Sequence, residues 1–232
     1  RIGLQADMFV GHSTGEYSAL FAGGVTRRDT AGQLQSEIRA LNGVYAEAEQ
    51  AGSIAEGALI AVAAVDGERL APALAELNDV HLAMDNCPSQ QVVAAPPGVA
   101  ARVEAIVAGL GGWSERLPFD RAYHCPLFQG FSEVLAGFLD GLDFRPPERP
   151  VYSCLTAAPF PEEPDEIRRL TAAQWAGRVR FTETIRAMHD AGARVFVECG
   201  PRNNLTAFTD EILRGRPHLA VAVDTPSRGG LA

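Results

Sequence analysis

The sequence predicts an α/β protein in two parts, a larger one and a ferredoxin-like β-α-β-β-α-β unit inserted into it. Three observations carry this. The apolar run Met8-Phe9-Val10 stops at Gly11, and Ser13, Gly15 and an amphipathic helical pattern from Glu16 follow it, which reads as strand, sharp turn, helix. Between residues 57 and 120, apolar runs and helix-period runs succeed one another in the order β-α-β-β-α-β. Beyond Arg121, strand-like and helix-like runs alternate again. The chain therefore divides into 1–56, 57–120 and 121–232, with the first and last forming the larger part.

Gly11-His12-Ser13-Thr14-Gly15 has the G-x-S-x-G spacing of a nucleophile elbow, which holds a serine in strained backbone with its Oγ turned outward. Both glycines are expected to be required, because Cβ atoms there would collide with the strand and helix they join. The helix aims its first N–H groups at the point where negative charge develops, and Glu16 in its first turn suits the dipole. Gly23-Gly24 closes that helix. Asp29 to about Glu49 reads as a long helix with Leu34, Ile38, Leu41 and Tyr45 on one face. Arg39 lies one position off that face, where spacing alone favours a solvated arginine.

In the inserted unit, strands are expected at Ala58–Val65, Val80–Asn86, Gln91–Ala95 and Trp113–Phe119, with helices at Glu68–Leu77 and Val99–Leu110. The larger part resumes around Arg121-Ala122-Tyr123-His124-Cys125. Helices follow at Phe131–Leu142, Ile167–Trp175, Thr182–Ala191 and Asn204–Leu213. Strands are expected at Val151–Leu155, at Val195–Cys199 (a buried one) and at Leu219–Val223. Arg145-Pro146-Pro147-Glu148-Arg149-Pro150 is a stiff, extended connection.

The 232 residues carry a net charge of −9, which argues against binding a nucleic-acid backbone or an anionic membrane. All 20 basic residues are arginine, so no lysine can act as a Schiff-base or general-base residue. Cys87, Cys125, Cys154 and Cys199 form no C-x-x-C pair, which points to neither a zinc site nor a disulfide framework. Buried free thiols in a reducing cytoplasm are expected. There is no signal peptide and no apolar run of membrane-spanning length. Almost nothing leads into the elbow strand, so the sequence reads as a piece of a longer polypeptide.

A serine nucleophile needs a base. His12 adjoins Ser13 but points to another side of such a turn, as a packing residue. His81 falls in a strand, His189 on a helix and His218 in a polar loop. His124 stands where the two parts of the chain join, the usual place for a cleft, and it leads the other four. No acid is singled out as a third member, although Asp120 and Asp143 are near in sequence. A Ser-His dyad whose imidazole is held by a backbone carbonyl needs none. Asn86 and Gln174 would not be chosen from chemistry alone.

With these residues placed, the chain resembles the malonyl-CoA:acyl-carrier-protein transacylase family, which includes the acyltransferase domains of polyketide and fatty acid synthases. The likeness is carried by Gly11-His12-Ser13-Thr14-Gly15-Glu16-Tyr17-Ser18-Ala19-Leu20, by Arg121-Ala122-Tyr123-His124, by Asp85-Asn86-Cys87-Pro88-Ser89-Gln90-Gln91-Val92-Val93 and by Val197-Glu198-Cys199-Gly200-Pro201. It runs from Arg1 to about Arg214. Tyr152-Ser153-Cys154-Leu155-Thr156 and Gln174-Trp175 look most like iterative type I polyketide synthases of the enediyne type.

The resemblance implies an α/β-hydrolase-like larger subdomain around the ferredoxin-like one. It implies that Ser13 carries the acyl group as an ester and that His124 is its base. The backbone N–H of Thr14 would be one oxyanion donor, and the second would lie in a glycine-glutamine segment before the elbow, which this sequence does not contain. Gln174 would hold the histidine through its carbonyl, with Asn86 near the site. Arg39 would bind the malonyl carboxylate, which reverses the solvated reading above. The implied substrate is malonyl-CoA, and the implied partners are the phosphopantetheine of an acyl carrier protein and neighbouring synthase domains, with no metal or bound cofactor. Two rival readings share these residues: a serine hydrolase of the patatin or thioesterase kind, which predicts a carboxylate partner for the base, and a non-catalytic docking domain of a synthase.

Overall fold

The computed structural model describes residues 3, 5–26, 30–65 and 67–224, and the elements below belong to these. Asp29, the expected start of the long helix, and the side chain of Leu34 lie outside the described residues. β1 (Phe9–Val10) runs into the elbow and α1 (Gly15–Ala22) leaves it. α2 (Ala31–Gln50) begins on a capping box: Thr30 Oγ1 accepts from Gln33 N, and the Gln33 side chain accepts from Thr30 N. Leu41, Tyr45 and Ala48 turn inward along it, and Ile38 is half exposed at its near end.

The stretch expected to be an inserted unit comprises β2 (Ala58–Ala63), α3 (Gly67–Leu74), β3 (His81–Cys87), β4 (Gln90–Ala95), α4 (Ala100–Gly109) and β5 (Trp113–Arg116). β5 stops short of the expected Phe119, because Pro118 has no N–H to continue the ladder and Phe119 N turns back to Leu117 O at 2.7 Å. After it come α5 (Gln129–Leu139), β6 (Val151–Ser153), β7 (Ala158–Pro159) and α6 (Pro164–Ala173), which passes into a 3-10 turn at Gln174–Ala176. β8 (Val179–Arg180), α7 (Phe181–Asp190), β9 (Val195–Glu198), α8 (Asn204–Ile212) and β10 (Leu219–Ala222) complete the described chain.

The inserted unit forms a sheet in the order β5-β2-β4-β3, with every neighbouring pair antiparallel. Alternation along the strands separates its faces. Ile60, Val62 and Val93 turn toward α3 and α4, where they meet Leu70, Val103 and Val107. Leu59, Val92 and Ala94 turn the other way, against Ala122 and Cys125. The sheet thus lies under the segment that carries His124. A fifth strand joins from outside 57–120: β8 pairs in parallel with β3, with Met84 opposite Val179 and Asp85 opposite Arg180.

In the larger part, β1 pairs in parallel with β6, β6 antiparallel with β7, and β9 in parallel with β10. Its core gathers Leu20, Phe128, Phe131, Leu135, Val151 and Ile167. The expected burial of Val195–Cys199 needs correction. Phe196 packs inward on the cluster of Phe181 and Ile185, but Val195 and Val197 are 62% and 45% exposed. Helices cover only one face of β9, and period-two alternation sends the valines to the other. Cys87, Cys125 and Cys154 are buried as expected, whereas Cys199, just past the end of β9, is exposed. No helix among the described residues is long and apolar enough to cross a membrane.

Candidate active site

Ser13 sits at φ +54°, in the left-handed region that residues with a Cβ rarely hold. Two hydrogen bonds close the turn around it, Gly15 N to His12 O at 2.9 Å and Glu16 N to Ser13 O at 3.0 Å. The strand can pass beneath this turn only because residue 11 is glycine. A Cβ there would lie 2.0 Å from Gly15 C and 2.2 Å from Glu16 N. A Cβ on Gly15 would meet nothing within 4 Å. The close approach is therefore at Gly11, and the expectation that both glycines are sterically required is corrected for Gly15.

The outward-turned hydroxyl meets His124. Ser13 Oγ and His124 Nε2 are 2.6 Å apart, and His124 Nδ1 is 3.0 Å from Gln174 O. A carbonyl only accepts, so Nδ1 carries the ring proton and Nε2 is free to take the one on Ser13. The backbone holds the ring from the same side: His124 N donates to Trp175 O at 2.8 Å, with His124 at φ +60°. The histidine is 1% exposed. Burial pulls its pKa down to about 4, against the opposing pull of the Gln174 carbonyl. At neutral pH the imidazole is a free base. Among the described residues no carboxylate is bonded to it.

The remaining expected residues gather to different degrees. Asn86 is 5% exposed and accepts from His12 Nε2 at 2.7 Å, while its own Nδ2 donates to Gln90 Oε1 at 2.8 Å. It therefore touches the neighbour of Ser13 and not Ser13 itself. His12 packs edge-on against Phe181, and burial lowers its pKa. Thr14 is exposed, and its backbone N–H donates to none of the described residues. Arg39 is exposed on α2, without an ion pair to a described residue, and no contact links it to the dyad. His189 and His218 stand apart, on Pro217 O and on Asp210.

Residues 1–225 match the acyl transferase domain family. The chain belongs to that family. Similar proteins include a polyunsaturated fatty acid synthase component from Thraustochytrium sp., 28% identical over 98% of this chain and 8% of that one. A malonyl CoA-acyl carrier protein transacylase from Synechocystis sp. is 33% identical over 89% of this chain and 66% of its own length. This acyl transferase chain thus spans less than two thirds of either relative. Among solved structures, a malonyl-transacylase in complex with its type II polyketide synthase acyl-carrier protein superposes with TM-score 0.84 at 26% identity, covering 97% of this chain and 72% of that one.

In this acyl transferase the elbow also holds a residue whose role sequence reasoning misread. Glu16 is 1% exposed, and its Oε2 accepts from Cys154 N at 3.1 Å and Ser153 Oγ at 3.3 Å. The first turn of α1 faces the end of β6 and not solvent, so burial pushes its pKa up to about 8. An acid directly before the uncharged run Tyr17-Ser18-Ala19-Leu20-Phe21 was the available signal.

A folded pKa above the ordinary 4.5 means that the fold holds the proton more tightly than the unfolded chain does. The resulting stability is complete below 4.5 and is lost as pH rises through 8. The expected loss between pH 4 and pH 7 is about 3 kcal/mol, at roughly 1.4 kcal/mol per pH unit. Glu16→Gln preserves the shape of the protonated acid and does not titrate, so this share of the pH dependence should vanish. Urea unfolding of both proteins at pH 5 and pH 8 measures it, and parallel slopes would refute the assignment.

Proposed function

We propose that this acyl transferase moves a malonyl group from malonyl-CoA to Ser13 and then to the phosphopantetheine thiol of an acyl carrier protein, as one domain of a larger polyketide synthase. The observation that carries this reading is the 2.6 Å contact between Ser13 Oγ and a buried, carbonyl-anchored His124. Ser13 Oγ attacks the thioester carbonyl as His124 Nε2 takes its proton. The tetrahedral oxyanion is met by the Thr14 N–H at the head of α1. Collapse breaks the C–S bond, and the proton passes from His124 to the departing CoA thiol. In the second half-reaction His124 deprotonates the carrier thiol, which attacks the serine ester, and Oγ recovers its proton. The likeness to malonyl CoA-acyl carrier protein transacylases supports the malonyl group and the carrier. The enediyne-type assignment rests on Tyr152–Thr156 and Gln174-Trp175.

A hydrolase would be expected to hold its histidine on a carboxylate, and here the anchor is the Gln174 carbonyl. Brief incubation with radiolabelled malonyl-CoA separates the readings. A transferase retains a malonyl-enzyme that a carrier protein discharges, a hydrolase releases malonate, and a docking domain does neither.

Arg39 is proposed as the cation for the malonyl carboxylate, supported by the family likeness and by a guanidinium without an ion pair to a described residue. Against a net charge of −9, an incoming carboxylate needs a local cation, and the planar fork of arginine can hold both oxygens. Charged hydrogen bonds contribute about 1.5–3 kcal/mol, equivalent to roughly one to two decades of preference for malonyl over acetyl. Arg39→Ala should lower malonyl uptake by that factor and leave acetyl uptake equal or better, with Arg39→Lys recovering part. Equal losses with both acyl-CoAs would make Arg39 a structural residue of α2.

A further inference from the structure

Trp175 touches His124 and, at its other end, the helix that follows Ser13. Its carbonyl accepts from His124 N at 2.8 Å, and its ring lies parallel to the imidazole, 5° between planes and 5.8 Å between centroids. Its indole Nε1 donates to Tyr17 OH at 2.8 Å. Tyr17 belongs to α1, one helical turn beyond Ser13. Three more rings pack on the indole: Phe131 meets it edge-on at 5.4 Å, with Tyr123 and Phe128 beside it at 5.9 and 6.1 Å. These ring contacts hold the indole, and its one polar atom is already bonded to the elbow helix.

The two segments joined by the dyad come from distant parts of the chain, and each holds its reactive residue at positive φ, Ser13 at +54° and His124 at +60°. Conformations of this kind persist only where surrounding contacts over-determine them. The contact between Ser13 and His124 cannot supply that constraint itself, because it must break and re-form during acyl transfer. The indole–phenol bond spans the same gap and takes no part in proton movement.

We infer that Trp175 is a positioning residue for acyl transfer, acting with Tyr17 as a strut that fixes the elbow helix relative to the His124 segment and so sets the distance from nucleophile to base. The inference rests on Ser13 and His124 being the dyad proposed above. Misplacement of reacting groups by about an ångström can cost on the order of a hundredfold, so partial loosening should cost about tenfold.

The test uses Trp175→Phe, Tyr17→Phe and the double variant, each an aromatic replacement that removes one or both ends of the bond. Malonyl-CoA acylation is followed at several substrate concentrations, and thermal stability is measured alongside, with parent and Ser13→Ala as references. Each single variant is expected to lower kcat by about tenfold with KM within about twofold, and to lower Tm, since one buried polar group loses its partner. In the double variant both partners are gone, so the part of the Tm loss due to an unpaired polar group recovers, leaving only the packing loss of Trp175→Phe, while kcat stays low. A kcat that recovers together with Tm, unchanged kcat in both single variants, or a loss confined to KM would each overturn the strut. If Trp175→Phe does not fold, Tyr17→Phe alone decides by the kcat-against-KM split. Acylation of Ser13→Ala equal to the parent would instead overturn the dyad, an outcome separate from all of these.

Discussion

Ser13→Ala is expected to fold like the parent protein and to take up no acyl group from malonyl-CoA. The hydroxyl is bonded to His124 Nε2, and at neutral pH that imidazole is uncharged, so losing the contact leaves no buried charge unpaired. Alanine meets the left-handed backbone of residue 13 with the same Cβ that serine has. His124→Ala should lower acylation on the order of a thousandfold or more, as removing the base from a nucleophile–base unit does. The pH profile of the parent carries a second signature. With the imidazole pKa near 4, the acid limb of acylation should fall through about pH 4, well below the range of a solvated histidine. Intact-protein mass spectrometry after short exposures to malonyl-CoA reads all three, and label on Ser13→Ala at the parent level would remove the nucleophile assignment.

Gly11→Ala should damage the fold itself. The added methyl would stand 2.0–2.2 Å from the backbone of Gly15 and Glu16, where no side chain can rotate away to make room. Overpacking of this kind costs about 1–3 kcal/mol where neighbours can shift, and more where they are backbone. We expect a loss of at least about 3 kcal/mol, together with loss of acylation, because relieving the clash moves the turn that aims Ser13. Gly15→Ala is the matched control. Its methyl meets nothing, and alanine favours a helical position by roughly 1 kcal/mol over glycine. Thermal unfolding of the pair gives the answer, and equal melting temperatures would show that the close approach at Gly11 is tolerated.

Of the candidate site, the pairing of Ser13 with His124 was legible in the sequence. Ser13 was marked by glycine spacing and by the change from strand to helix, and His124 by standing at a junction. Gln174 was invisible to chemical reasoning because its contact with His124 is a backbone carbonyl, which any residue type supplies. Asn86 was equally silent, since its partner His12 is distant in sequence. Glu16 was misread for the same reason: what buries it is β6, much later in the chain. The inserted sheet was read strand by strand from its apolar runs. β8 gave no signal, because the two residues Val179-Arg180 are too few to display a period. At β9 the continuous run Val195-Phe196-Val197 could not reveal that only one face would find helices to cover it.

β8 also bears on how such chains can be recombined. The inserted unit is contiguous in sequence from β2 to β5, which invites its exchange between homologues as a cassette. Its sheet is not contiguous, because β3 borrows a neighbour from beyond the second crossover point. Asp85 on β3 is tied to that neighbourhood by Arg178 Nη2 at 3.1 Å and by Thr182 Oγ1 at 3.1 Å. A chimaera cut at both ends of 57–120 would set a foreign Asp85 position against resident partners, while one that also carries 178–182 would transplant the whole seam. A change at Asp85, Arg178 or Thr182 is therefore felt on both sides of that seam, and breakpoints for functional hybrids have to come in linked sets.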